Sequence, residues 1–221
     1  MEVDAACISR FAQTLQLTVL IIRRGENMAE LDGLALDKLF RTARSRNAWR
    51  REAIDDSVWR ELYSLLRMGP TSANVSPARF LFCTSDDAKT RVLRHMSATN
   101  AAKSKDAPAI VIIAHDLNFH EKIPALFPHN PGAMHWFGDP QVRMDTAFRN
   151  GTLQGAYLIL AARALGLDCG PMSGFDQAGL DAEFFSGTSI RSNFLCALGH
   201  GVDEPFPRLP RLTFEDACEI L

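Results

Sequence analysis

Residues 69–80 read Gly-Pro-Thr-Ser-Ala-Asn-Val-Ser-Pro-Ala-Arg-Phe, and the chain changes character across them. Upstream, Val58, Leu62, Leu65 and Leu66 recur at helical spacing, and Gly69-Pro70 stops that helix because proline cannot continue the hydrogen-bond ladder. Downstream, Arg79 to Thr84 is a compact apolar run with strand character. Two prolines restrict the loop between them, so Thr71, Ser72, Asn74 and Ser76 can be presented to a ligand at little entropic cost. An ordinary polar turn has the same composition, and this stretch alone leaves both readings open.

Outward from the loop, Leu36, Leu39 and Phe40 predict a first helix from Leu34 to about Arg44. Asp86 to Met96 predicts another, capped by Ser85 or Asp86. Ala109 to His115, Ala-Ile-Val-Ile-Ile-Ala-His, is the strongest strand signal, and its unbroken apolarity marks a strand covered on both faces, as in the middle of an α/β sheet. Asn118 to Asp139, with prolines and glycines among aromatics and histidines, predicts an irregular surface excursion of the kind that forms lids or partner contacts. Gln141 to Leu165 predicts a long helix closed by Gly166, its second half apolar enough for a core or a subunit interface. Asn193 to Leu198 predicts a buried strand, and Thr213 a cap for a last helix. Residues 1–27 read as an N-terminal arm, or as sequence upstream of a true start at Met28, and 28–221 as one domain.

The 221 residues carry a formal net charge of -2, which gives no broad field for nucleic acid or an anionic membrane. Cys7, Cys83, Cys169, Cys196 and Cys218 are odd in number and widely spaced, which fits a reducing compartment and neither a disulfide framework nor a zinc ribbon. Leu17 to Ile22 is too short to span a membrane, and Glu2 and Asp4 are wrong for a signal peptide, so the chain reads as cytoplasmic. Gly199-His200-Gly201 begins like a dinucleotide fingerprint, but Glu204 stands at the third glycine and Pro205 to Pro207 spoil the helix that follows. His115, His120, His129 and His135 lack a compact ligand spacing, so no metal is expected. No Gly-x-Ser-x-Gly elbow points to a hydrolase. What does collect at the ends of predicted elements is a set of cations and amides suited to a phosphate monoester and an electron-rich ring.

Five segments together carry a family resemblance: 69–79 in the loop, Thr-Ala-Phe-Arg-Asn at 146–150, Ala-Arg-Ala-Leu-Gly-Leu-Asp at 162–168, Gly-Pro-Met-Ser-Gly-Phe-Asp at 170–176 and Arg-Leu-Pro-Arg-Leu at 208–212. From about Leu36 to Leu221 the chain resembles the nitroreductase family of flavin-dependent oxidoreductases, and more narrowly its malonic semialdehyde reductases of pyrimidine degradation. The resemblance implies an α+β, FMN-dependent nitroreductase-like fold, a central mixed sheet flanked by helices, in a homodimer with FMN at the interface and NADPH or NADH as reductant. It implies that Arg44, Ser45 and Arg211 hold the FMN phosphate, with Arg208 also binding the cofactor, and that Asn47 lies by the pyrimidine side of the ring. Pro70, Thr71, Ser72 and Asn74 would come from the partner subunit. Asn100 and Lys103 would contact the ring, and Pro171, Met172, Ser173 and Gly174 would pass beside its reactive face.

The activity so implied is hydride transfer through FMN from NAD(P)H to malonic semialdehyde, giving 3-hydroxypropionate. The hydride is carried by the flavin and no catalytic protein residue is assigned, with Lys103 acting electrostatically on the reduced ring. Arg79 and Arg149 are the candidates for the substrate carboxylate. A broad nitro or quinone reductase with the same cofactor, and a flavin-binding protein without turnover, are the alternatives.

Overall fold

The computed structural model describes residues 30–202 and 207–221. They belong to two compact units divided between Asp37 and Lys38. The described part of the first holds one helical turn, Gly33–Leu36, whose N-cap Asp32 accepts from the Ala35 N–H at 2.7 Å. The arm expected over 1–27 lies outside the described residues, as do Glu204 and Pro205, on which part of the argument against a dinucleotide fingerprint rests. The helix predicted from Leu34 is interrupted: after Gly33–Leu36 the chain takes π-helical geometry over Asp37–Arg41.

The second unit is built on a four-stranded sheet. Its elements, in chain order, are α1 (Asp56–Leu66), β1 (Ala78–Cys83), α2 (Asp86–His95), α3 (Ala98–Ser104), β2 (Ala109–Asp116), α4 (Pro140–Ala164), β3 (Asp168–Met172), α5 (Gln177–Phe184) and β4 (Ile190–Gly199). The strand order is β1-β2-β4-β3. Every strand pair is antiparallel, and one parallel bridge between Ser45 and Cys169 gives the sheet its mixed character. An apolar run such as β2 reports burial on both faces and says nothing of its neighbours' direction, which is why the α/β comparison drawn from it does not carry over.

The pleat of β2 divides the core in two. Ala109, Val111 and Ile113 pack with Trp59, Leu62 and Leu66 of α1 and with Leu158 and Ala162 of α4. Ile110, Ile112 and Ala114, on the opposite face, pack with Val92 of α2 and Leu180 of α5. Helices therefore cover both faces. Each end of this framework follows local chemistry: Asp55 caps α1 and Ser85 caps α2, while Gly166, at φ 86°, turns the chain out of α4. The excursion of 118–139 is irregular but has a small core of its own, in which the Phe119 and Phe137 rings meet edge-on at 5.0 Å with Ile123, Ala133 and Val75 around them.

Helix α4 lies very close to the sheet. A Cβ at Gly151 would come within 2.9 Å of the His115 Cβ, and one at Gly155 within 2.5 Å of the Phe194 ring and 3.2 Å of Ile113. At the other end of the chain, residues 207–221 are exposed throughout, apolar Leu209, Leu212, Phe214 and Ile220 included. Thr213 caps only a single turn there, Phe214–Ala217. Cys83, Cys169 and Cys196 are free and buried, and Cys218 is free and exposed. Among the described residues, no helix is long and apolar enough to cross a membrane.

Gly170, in the middle of β3, has the Arg46 carbonyl oxygen 2.8 Å and the Trp49 ring 3.0 Å from where a Cβ would stand. A backbone oxygen cannot swing aside, so Gly170→Ala is expected to push residues 45–49 off the sheet and cost about 1–3 kcal/mol, measured by urea denaturation.

Candidate functional site

The loop of 69–77 is held in a conformation its residues would not choose. Ala73, Asn74 and Ser76 sit at φ 45°, 51° and 38°, the left-handed region that costs a non-glycine residue roughly 1–2 kcal/mol. Three side chains from one face of α4 impose it. The Asn150 Oδ1 accepts from the Ser72 N–H at 2.9 Å, the Gln154 Oε1 accepts from the Ala78 N–H at 2.9 Å, and the Tyr157 hydroxyl donates to the Pro70 carbonyl at 3.0 Å. Spacings of four and three residues put these groups on one helical face. Asn150 and Gln154 are buried, and the Asn150 amide is oriented by its own donation to the Thr146 carbonyl at 2.9 Å. Within the loop the Thr71 Oγ1 accepts from the Ser76 N–H, and the Asn74 Nδ2 donates to the Leu126 carbonyl at 2.7 Å. The backbone is thus fixed from beneath, while Ser72 and Asn74 remain exposed.

A second assembly forms along the β3 edge. The Arg46 N–H donates to the Cys169 carbonyl at 3.0 Å and the Arg50 N–H to the His200 carbonyl at 2.9 Å, laying residues 45–50 beside the sheet. Asp168 secures this segment from two sides, with one oxygen 3.3 Å from the Arg46 Nε and the other accepting from the Gly201 N–H at 2.9 Å. The buried Trp49 donates its Nε1–H to the Lys103 carbonyl at 2.9 Å, which ties the segment to the last turn of α3. From α3 the Asn100 Nδ2 donates to the Gly174 carbonyl at 3.0 Å, and the Ser104 hydroxyl touches the Met172 Sδ at 3.4 Å. Ser45, Asn100, Lys103 and the 171–174 stretch, all expected in one site, are therefore joined through hydrogen bonds and neighbouring strands, and Asn47 lies in the same segment.

At the start of that segment the charge is one-sided. Arg208 donates to the carbonyls of Phe40, Arg41 and Ala43 at 3.0, 2.7 and 3.0 Å, and Arg44 donates to the Ala43 carbonyl at 2.9 Å. Desolvation, and then the charges of Arg44, Arg211 and Arg163, hold the Arg208 guanidinium below its ordinary value. Three further guanidinium groups within electrostatic reach of Arg208 favour an anion beside it. Arg163 was not among the expected site residues; it sits in the last turn of α4, inside the Ala-Arg-Ala-Leu-Gly motif.

One expected residue is engaged within the protein. Arg79 is committed to an ion pair with Asp116 at 2.7 Å and to the carbonyls of Ser76, Pro77 and Ala78. Burial pushes the Asp116 carboxyl up, but the Ser189 hydroxyl, the Asn118 N–H and Arg79 together bring it below its ordinary 3.8. Arg79 thus has its partners within the protein, whereas Arg149 is exposed on α4. Asn150, which holds the loop, and Arg163, at the arginine cluster, are separated along α4 by about 20 Å at 1.5 Å per residue. Among the described residues, no three of His, Cys, Asp or Glu come together as a metal site.

The profile of the Nitroreductase family matches residues 40–201. The chain belongs to the nitroreductase family. A protein of Caulobacter vibrioides named for NADH dehydrogenase/NAD(P)H nitroreductase activity is 55% identical over 195 residues, 88% of this chain and 100% of its own length. HadB of Ralstonia pickettii, named likewise, is 51% identical over 191 residues, 85% of this chain and 97% of its own. Among solved structures, a nitroreductase of Exiguobacterium sibiricum in complex with FMN superposes with a TM-score of 0.77 at 17% identity, covering 88% of this chain and 99% of the other, which speaks for the fold alone.

Asn150→Ala leaves the Ser72 N–H without its partner beneath a strained loop, and the expected loss of stability is about 1–3 kcal/mol. Amide hydrogen exchange at 72–78 is expected to speed up before the rest of the chain is affected.

Proposed function

We propose that this chain is an NAD(P)H oxidoreductase that uses FMN, works as a homodimer and reduces malonic semialdehyde to 3-hydroxypropionate. The observation that carries the cofactor reading is the arginine cluster of Arg44, Arg163, Arg208 and Arg211, continuous through Ser45 and Trp49 with the amide and backbone groups of the β3 edge. Its donor set fits FMN: guanidinium groups and the Ser45 hydroxyl for a phosphate dianion, and Asn47, Asn100, Lys103 and the 171–174 backbone for a polar ring edge. Bound FMN would supply hydride transfer between the nicotinamide and the second substrate. The chain's own part is to hold the phosphate, orient the ring, and place the Lys103 ammonium where negative charge develops on reduction.

The dimer reading rests on two features. The loop of Thr71, Ser72 and Asn74 is fixed to the middle of α4 through Asn150 while the arginines gather at its C-terminal end, so a second copy can bring the loop of one chain to the groove of its partner. The exposed tail of 207–221, with Leu209, Leu212, Phe214 and Ile220 uncovered, and the exposed Leu153 on α4, give such a copy apolar surface to bury. For the substrate, the resemblance of the short motifs to the malonic semialdehyde reductases supports a small carboxylated aldehyde, with Arg149 as the cation that meets it. A broader nitro or quinone reductase is the second reading, favoured by the name of the Caulobacter relative.

Protein reconstituted with FMN, desalted and kept anaerobic is expected to retain flavin, lose its colour with NADPH and regain it with malonic semialdehyde. Recovery with quinones or nitroaromatics alone would support the second reading, and retained flavin that NADPH cannot bleach would remove the enzymatic one. Arg208→Ala is expected to weaken FMN by about ten- to a hundredfold, the loss of one charged hydrogen-bonding group, and to leave riboflavin affinity unchanged; an equal loss for both flavins would place Arg208 away from the phosphate. Lys103→Ala is expected to slow flavin reduction by NADPH in stopped-flow measurements with the fold intact.

A further inference from the structure

A cavity of about 950 Å³ opens between α4, α5 and the adjoining ends of β2 and β4. None of its lining residues belongs to the loop or to the β3 edge. Among its lining residues is His115, 5% exposed, whose Nδ1 is sealed from solvent and has no hydrogen-bond partner among the described residues. Burial lowers the affinity of this ring for a proton below the ordinary 6.5, against the opposing charges of Asp181 and Asp116 and with that of Arg191, so the imidazole is neutral at pH 7. A buried N–H without a partner is rarer than a bare acceptor; the proton therefore belongs on Nε2, the nitrogen left to meet the cavity.

Arg191 stands beside it. His115 and Arg191 are directly paired across β2 and β4, which puts their side chains on one face of the sheet with Cβ atoms about 5 Å apart. Among the described residues the guanidinium donates through its Nη1, to the Ile190 carbonyl at 2.7 Å and the Thr188 carbonyl at 3.2 Å, which leaves Nε and Nη2 for another acceptor. The acidic groups at the cavity are already engaged: Asp145 accepts from the Gln141 amide at 2.8 Å and Asp181 from the Ser192 N–H at 2.8 Å. The walls are largely apolar. Phe148 meets His115 edge-on at 5.9 Å, and Phe185, just after α5, also lines the cavity. Two adjacent donors in an aromatic-walled cavity are complementary to a carboxylate attached to a flat ring.

We propose that this cavity is a binding site for a small aromatic carboxylic acid, one carboxylate oxygen accepting from the His115 Nε2–H and the other from the Arg191 guanidinium, with the ring between Phe148 and Phe185. The site is separate from the cofactor reading and stands or falls without it.

The test is a calorimetric titration of the full chain with 2-naphthoate, beside its neutral analogue 2-naphthamide, with and without saturating FMN. Naphthoate is expected to bind whether or not FMN is present, and naphthamide at least tenfold more weakly. Arg191→Gln, a change at an exposed side chain, is expected to weaken naphthoate at least tenfold while leaving naphthamide and FMN unaffected. His115→Phe keeps the apolar volume and is expected to weaken naphthoate without affecting naphthamide. No naphthoate binding, equal binding of the two probes, no effect of Arg191→Gln, or displacement of naphthoate by FMN would each overturn the proposal.

Discussion

The seat of α4 on the sheet governs the rest of the molecule. Gly151 and Gly155 let the helix approach until His115, Phe194 and Ile113 touch its backbone. Each glycine weakens the isolated helix by about 1 kcal/mol relative to alanine, a cost that tertiary packing must offset. Their direction also sets the roll of the helix: with the glycines against the strands, Asn150, Gln154 and Tyr157 come out along the flank where the chain leaves α1. An amide buried there satisfies the backbone of 72–78 and stays satisfied itself, which is the condition for keeping a polar group in a core. A bulkier residue at 155 would move the helix away and withdraw all three supports together.

Much of the framework was legible because it is local. The caps at Ser85 and Thr213, the glycine that ends α4 and the apolar run of β2 each work through neighbours a few residues away. Strand direction was not legible, since β2 reads the same whether its neighbours run with it or against it. The excursion of 118–139 looked like surface because prolines and glycines break its periodicity, yet Phe119, Ile123 and Phe137 find one another without any regular element between them. The last helix shortened to one turn for a related reason. No described body of the chain covers it, and short helices gain little without an apolar face to bury.

The candidate site divides the same way. Loop and β3-edge residues were named from a resemblance carried by short motifs, and the structure links the β3-edge set through Trp49 and Gly174. Asn150 and Gln154 were missed because an amide inside a helix has no signature of its own; the partner of Asn150 is 78 residues away. Arg163 was hidden by its motif, where it reads as one more helical surface cation. The partner of Arg79 was hidden because Asp116 lies on the next strand, 37 residues on, and adjacency of that kind becomes visible only once β1 and β2 are set in register.

Trp49 gives the groove a mechanical property. Its indole is wedged against Gly170 and Gly199 and bonded to the carbonyl of Lys103, so the strip that begins at the arginines and the helix end that bears the lysine are coupled by one rigid plate. A ligand long enough to touch both ends meets a single preset caliper instead of two independently moving jaws. Most of the ordering that grips its second end is then already accomplished when the first is seated. The two halves of such a ligand, offered separately, would together hold far less tightly than the intact molecule.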